Sequence, residues 1–278
     1  LRSIIDFSDA DRITGHAAWH GGALAGTPGY GLPATEGATT LTLTPENLDL
    51  ATNYGFETRV LDGVNNRIVF FKGGSAHKLQ LEFRSNNNLI VIGAKTRIAG
   101  LLSFQDAGGH LFAVSDSAKL KSCNATLCGG PAAIFIGKRV TANSVHFRGD
   151  GPGGSIQIGD GSMISWSVDI RSSDAHGIFS LDDLTCGINP PEPVVIGPHV
   201  WLASDVTIMP GCTIGRGAIV GARSLVLRDV PPFCLYAGSP AKCLRERVSW
   251  TRQSKPDERM IRVALRDALV APQDVRKL

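Results

Sequence analysis

The chain has no long uninterrupted apolar run. Its longest charge-free stretch, residues 13–35, is broken by Gly15, Gly21, Gly22, Gly26, Pro28, Gly29, Gly31 and Pro33, so it cannot form a spanning helix, and a membrane-embedded protein is not expected. The first ten residues hold Asp6 and Asp9 and no apolar core of a secretory signal, which points to a cytoplasmic location. Cysteine is sparse: six residues in 278, with no Cys-x-x-Cys pair, give no disulfide framework, and buried free thiols are expected. The seven histidines show neither His-Glu-x-x-His nor His-x-His, so no metal site is indicated. No nucleic-acid-binding motif is present either. Charge is scarce as well, 19% of residues against a usual share of about 25%. What basic excess exists lies at the end of the chain, where residues 242–278 carry ten Lys and Arg against five acids. That segment suits a phosphorylated or acidic ligand or, equally, a solvated helix face.

Glycine is abundant, 32 of 278 residues, and with few charges it suits a repetitive, tightly coiled backbone. The repeat itself is found in the second half. From Ile196 the chain divides into hexads that begin at Ile196, Leu202, Ile208, Ile214, Val220 and Val226. Four places after each stands a small or β-branched residue: Val200, Val206, Cys212, Ala218, Ser224 and Val230. A six-residue period fits neither a helix nor a long alternating strand. One inward aliphatic per short strand, followed by a turn on small residues, builds a three-sided prism with eighteen residues per coil. Fainter hexads begin at Ile158, Ile164 and Ile170, and others at Ile136 and Ile92. Ile136 to Ile158 is a coil plus four residues, the excess falling at Gly149–Gly154. Ile158 to Ile196 is a coil plus twenty. The twenty form an excursion at about 176–195, and a long loop on an economical solenoid is a common place for function.

The expected organisation is therefore all-β. Residues 1–59 are an N-terminal extension of unassigned fold with a plausible strand at Thr39–Leu43. Residues 60–245 are the coil domain, and residues 246–278 are a basic C-terminal helical segment. Pro256-Asp-Glu-Arg starts a helix through Val270, with Ile261, Leu265, Ala268 and Leu269 on one face, placed to cap the prism.

Several runs taken together resemble the hexapeptide-repeat acyltransferases. They are Val195-Ile-Gly-Pro-His-Val-Trp-Leu-Ala203, Ile208-Met-Pro-Gly-Cys-Thr-Ile-Gly215, Val220-Gly-Ala-Arg-Ser-Leu-Val226, Asp229-Val-Pro-Pro232 and Ala237-Gly-Ser-Pro-Ala-Lys242. With Ile170-Arg-Ser-Ser-Asp-Ala-His-Gly-Ile178 added, the chain is most similar to the branch holding the bacterial capsule and polysaccharide O-acetyltransferases. The resemblance implies a left-handed parallel β-helix, against the usual right-handed crossover. It also implies a homotrimer, and acetyl transfer from acetyl-CoA to a sugar hydroxyl by direct attack. His176 matches the catalytic histidine. An imidazole, with an ordinary pKa near ~6.5, can take the proton of a hydroxyl too weakly acidic to ionise by itself. Asp174 is the matching candidate for orienting that ring or contacting the acceptor, with Asp182 and Asp183 as rivals. Trp201 matches the donor-site tryptophan, and Ala203, Ser204 and Ala222 match the turn positions along which the pantetheine arm of acetyl-CoA runs. Arg228 and Lys242 match basic positions near the CoA phosphates.

Other readings remain. The same donor machinery serves N-acetylation of an amino sugar or antibiotic, and a non-enzymatic solenoid scaffold would keep the coils without the chemistry. A hexapeptide carbonic anhydrase would need three converging zinc-binding histidines. No repeat-spaced set exists, and His146 and His199 are read as ordinary residues.

Overall fold

In a computed structural model, residues 38–269 and Asp274 are described; most of the N-terminal extension and Val270 lie outside them. Parallel strands stack into a three-faced solenoid of about eight turns. Its first face is one aliphatic ladder: Phe70, Ile92, Val114, Ile136, Ile158, Ile196, Ile214 and Val230 pair in register, coil upon coil. All eight are buried. Each aliphatic of this kind contributes up to ~1.5–3 kcal/mol relative to exposure. The second face carries Ala142, Ile164, Leu202 and Val220. The third carries Phe147, Ile170, Ile208 and Val226. The hexads read from the sequence are thus the inward positions of three faces.

Upstream, the coil lengthens to 22 residues throughout, as the pairing of Ile92 with Val114 and of Val114 with Ile136 requires. Two causes are visible. The second and third faces fuse into single bent strands, Ser75–Phe83, Arg97–Phe104 and Lys119–Cys128, with register shifts where they bend. At one bend Gly100 takes φ +133°, and a Cβ there would collide with the Cys123 carbonyl. The corner between the third and first faces is also wider, and it encloses a buried polar stack. Asn88 donates to Asn66 Oδ1 (2.8 Å), the His110 amide donates to Asn88 Oδ1 (3.1 Å), and His110 Nδ1 accepts from the Ala132 amide (3.1 Å). These bonds offset the cost of burying polar groups at the longer corner.

At each end of the parallel stack one face is finished by an antiparallel strand. Thr39–Leu43 is the strand expected, and it pairs with Asn66–Phe70. A helix, Leu48–Asn53, sets Ala51 against the core. At the other end Leu235–Ala237 pairs with Lys242–Arg245. The C-terminal helix runs Glu258–Asp267, capped by the Asp257 carboxylate accepting from the Met260 amide at 2.7 Å. It does not cap the prism. Ala264, Leu265 and Ala268 face the solenoid beside Phe233, whereas Ile261 and Leu269 are exposed. Near its end Arg139 bonds to Asp267 at 3.1 Å, so the helix lies along the flank. Of the six cysteines four are buried, but Cys186 and Cys243 are exposed, because both fall on segments outside the stacked coils. Among the described residues no helix is long and apolar enough to cross a membrane.

Candidate active site

The long excursion leaves the third face after Val168–Arg171 and returns at Val194–Ile196. Its base is closed by the Glu192 amide donating to the Ser172 carbonyl at 2.8 Å. Its middle is held by the Ile188 amide on the Ile178 carbonyl at 2.7 Å and by a Phe179–Gly187 bridge. His176 stands exposed on the outgoing leg. Ala175 beside it takes the left-handed φ of +68°, and its amide donates to Ser173 Oγ at 2.9 Å.

Asp174 and His176 share the leg, but the Asp174 carboxylate is engaged elsewhere. Its Oδ2 accepts from Asn189 Nδ2 at 3.1 Å, and the same amide nitrogen donates to the His176 carbonyl at 2.9 Å. Of the rival acids, Asp183 is occupied locally. Its Oδ1 accepts the Thr185 hydroxyl (2.6 Å) and amide (3.0 Å), and those bonds hold its carboxyl below the ordinary range. Asp182 is exposed beside it, its amide donating to Ser180 Oγ.

The strand that leads to the excursion carries a second charged group. His146 Nδ1 and Arg171 Nε flank Asp169 at 3.3 and 2.9 Å. Burial by itself would raise the Asp169 carboxyl, but these two hydrogen bonds outweigh it and hold it down at about 2. The bond to Asp169 in turn keeps Arg171 firmly protonated, with the Asp174 charge assisting. Asp174 therefore lies within the field of a fixed cation.

The donor candidates divide between corners. Ala203, Ser204 and Ala222 lie at the corner between the second and third faces, after Trp201–Leu202 and Ile219–Val220 respectively. There the Arg223 amide donates to the Ser204 carbonyl at 2.9 Å. Trp201 is on the second face, between Met163 and Ile219, half-buried. Arg228 follows Leu225–Val226 on the third face and is exposed at the opposite corner, the one that bears the excursion; Lys242 is exposed on the closing hairpin. His176 and the small-residue row thus occupy neighbouring corners across the third face, not one pocket.

Three features were not singled out from the sequence. Arg223 is exposed next to Ala222, its Nε 3.8 Å from Asp205, and only its hexad position could have marked it. Trp166, 60% exposed, occupies the corner position one coil above Ser204, its carbonyl accepting from the Asp205 amide at 2.9 Å. The third is Trp250 of the C-terminal segment, whose ring lies 6.1 Å from the Trp201 ring. The clefts of about 350 and 340 Å³ belong to that segment and include neither His176 nor the small-residue row.

A model of the bacterial transferase hexapeptide (six repeats) matches residues 193–228, the coils that hold Trp201, Ser204 and Ala222. In these coils the chain is similar to the hexapeptide-repeat acyltransferases. It is 31% identical over 124 residues to the polysialic acid O-acetyltransferase of Escherichia coli O1:K1 / APEC, covering 45% of this chain and 40% of the relative. It is 48% identical over 61 residues to a chloramphenicol acetyltransferase of Agrobacterium fabrum, covering 22% of this chain and 29% of the relative. The chain thus spans less than half the length of these curated relatives. In fold it is similar to the polysialic acid O-acetyltransferase OatWY, with a TM-score of 0.62 at 25% identity, covering 72% of this chain and 92% of that one.

Proposed function

We propose that this chain is a hexapeptide-repeat acyltransferase, an acetyl-CoA-dependent O-acetyltransferase acting in the cytoplasm on a hydroxyl of a saccharide, a polysaccharide or its precursor. The observation that carries the reading is the height of the two half-sites. His176 leaves the coil directly above the one that bears Trp201 and Ser204, about 4.8 Å away along the stack. The root of the excursion and the start of the small-residue row are therefore one coil apart along the stack. The exposed His176 imidazole, in its neutral form, takes the acceptor hydroxyl proton as the oxygen attacks the thioester carbonyl, and returns it to the departing thiolate. Asp174, bonded by Asn189, lies on the same leg and is suited to accept from a second acceptor hydroxyl.

The small side chains of Ala203, Ser204 and Ala222 let the pantetheine arm approach the main chain. Arg223, Arg228 and Lys242 are the cations available to the CoA phosphates. Because the base and the small-residue row occupy different corners of one prism, a complete site needs the excursion of one protomer against the donor corner of the next. This supports a closed ring of protomers, the homotrimer.

The test is CoA release by the purified protein across saccharide and amine acceptors, with the added acetyl located by mass and NMR. Acetyl on a sugar oxygen, with turnover reduced ~10²–10⁴-fold in His176→Ala, is the expected result. Acetyl found only on nitrogen would replace this reading with N-acetylation.

A further inference from the structure

The stretch that presents His176 is not held by packing. A Cβ on Gly177 would meet no atom within 4 Å, and Ile178 and Phe179 are more than half exposed. It also carries a backbone cost, since Ala175 sits in the left-handed region. Such a conformation persists only where its surroundings over-determine it. One side chain supplies most of that determination. Asn189 accepts from the Ile178 amide at 2.6 Å and donates to the His176 carbonyl at 2.9 Å and to Asp174 Oδ2 at 3.1 Å. Asn189 is itself stiffly mounted. Pro190 and Pro191 follow it, Pro191 lies beside Gly151, and the Glu192 amide bonds to Ser172, so the returning leg is fixed to the coil.

We propose that Asn189 is a positioning residue of this site: its amide ties the outgoing leg to the returning one on both sides of His176 and, through Oδ2, holds the Asp174 carboxylate toward the returning leg instead of the imidazole. The consequence is separation of roles. Asp174 is kept for the acceptor, and the His176 ring is left without a carboxylate partner that would raise its basicity and hold its proton.

The inference rests on His176 being the base, so Asn189→Ala, Asn189→Asp and His176→Ala are measured together on the full chain. Asn189→Asp keeps an acceptor for the Ile178 amide but loses both donations. In each Asn189 variant kcat should fall about 10²-fold, the scale of a misplaced reacting group, with the acetyl-CoA KM and the melting temperature unchanged. In Asn189→Ala the released Asp174 should also move the acid limb of the kcat/KM profile up by about one pH unit. A merely structural asparagine would move neither the limb nor the kcat-to-KM ratio. Wild-type kcat and an unshifted limb in Asn189→Ala, alongside a dead His176→Ala, would overturn this proposal alone. Turnover that survives in His176→Ala would overturn it together with the reading on which it rests.

Discussion

The indole of Trp250 lies flat on the imidazole of His199, ring centroids 4.3 Å apart and planes within 6°. The pair is also cross-bonded: His199 Nε2 donates to the Trp250 carbonyl (3.0 Å), and Trp250 Nε1 donates to the His199 carbonyl (2.8 Å). This stack fixes the C-terminal segment to the coil that bears Trp201. Removing a buried tryptophan costs about 3–5 kcal/mol, but the coils keep their ladders, so the loss should appear as local opening. Trp250→Ala should speed amide exchange in residues 246–269 and leave the strands at 89–136 protected. Uniform deprotection would show instead that the segment unfolds only with the whole.

Two buried histidines set a pH limit on stability. His110 is shifted below its ordinary 6.5 by burial, against the Gln105 carbonyl that accepts from its Nε2, and its Nδ1 must stay unprotonated to accept from Ala132. His199 is lowered by burial too, and its Nδ1 is buried with no partner among the described residues. As pH falls through 6.5 the unfolded chain takes up these protons first. Their contribution is therefore complete above that pH and is lost progressively below it. The melting temperature should drop from pH 7 to 5.5. His110→Asn should weaken that slope while costing about 1–3 kcal/mol at neutral pH for the bonds left unmade. An unchanged slope would remove His110 as a cause.

A pair of glycines separates strain from freedom. Gly100→Ala must place a Cβ on the Cys123 carbonyl at a φ of +133°, and a loss above about 2 kcal/mol is expected. Gly177→Ala meets open space and should stay within about 0.5 kcal/mol. Denaturant midpoints of the two variants check both.

The hexads from Ile196 onward were legible because each face there is six residues long and each inward position aliphatic. Upstream, Ile92 and Ile136 showed as isolated hexads, but the fused strands and wide corners hid Phe70 and Val114 of the same ladder from a six-residue search. Its true period there is 22, and part of its filling is polar, as Asn66, Asn88 and His110 show. The site was legible only as residue types. That Asp174 is turned to Asn189, and that Arg228 falls on the other corner from Ala222, depends on which loop leg and which corner each residue reaches, and a linear motif does not encode that. The Trp250 stack was hidden for the same reason, since it joins positions 51 residues apart.

Three exposed cations are candidates for the donor phosphates of the proposed site. Arg223 stands beside the small-residue row, Arg228 on the opposite corner and Lys242 on the closing hairpin. Each Ala variant that loses a phosphate contact should raise the acetyl-CoA KM more than it lowers kcat, and added salt should mimic the change. A variant whose KM does not move drops out of the donor site, and a KM raised in both Arg223→Ala and Arg228→Ala would mean that phosphates are reached from two corners.

If the site is shared between protomers, two inactive chains should make active ones. His176→Ala damages the excursion corner, and Ala222→Trp fills the donor corner with bulk, so each variant alone has no intact site. Refolded together at equal amounts, they assemble at random. About a quarter of the interfaces in a closed ring then pair an intact excursion from one chain with an intact donor corner from the other. Activity should recover toward that fraction of wild type, and only when the variants are mixed before assembly. No recovery, with mixed rings demonstrated by mass, would mean that both half-sites must come from one chain. Recovery well above a quarter would mean that one of the two variants was not inactive to begin with, which single-variant assays would reveal directly.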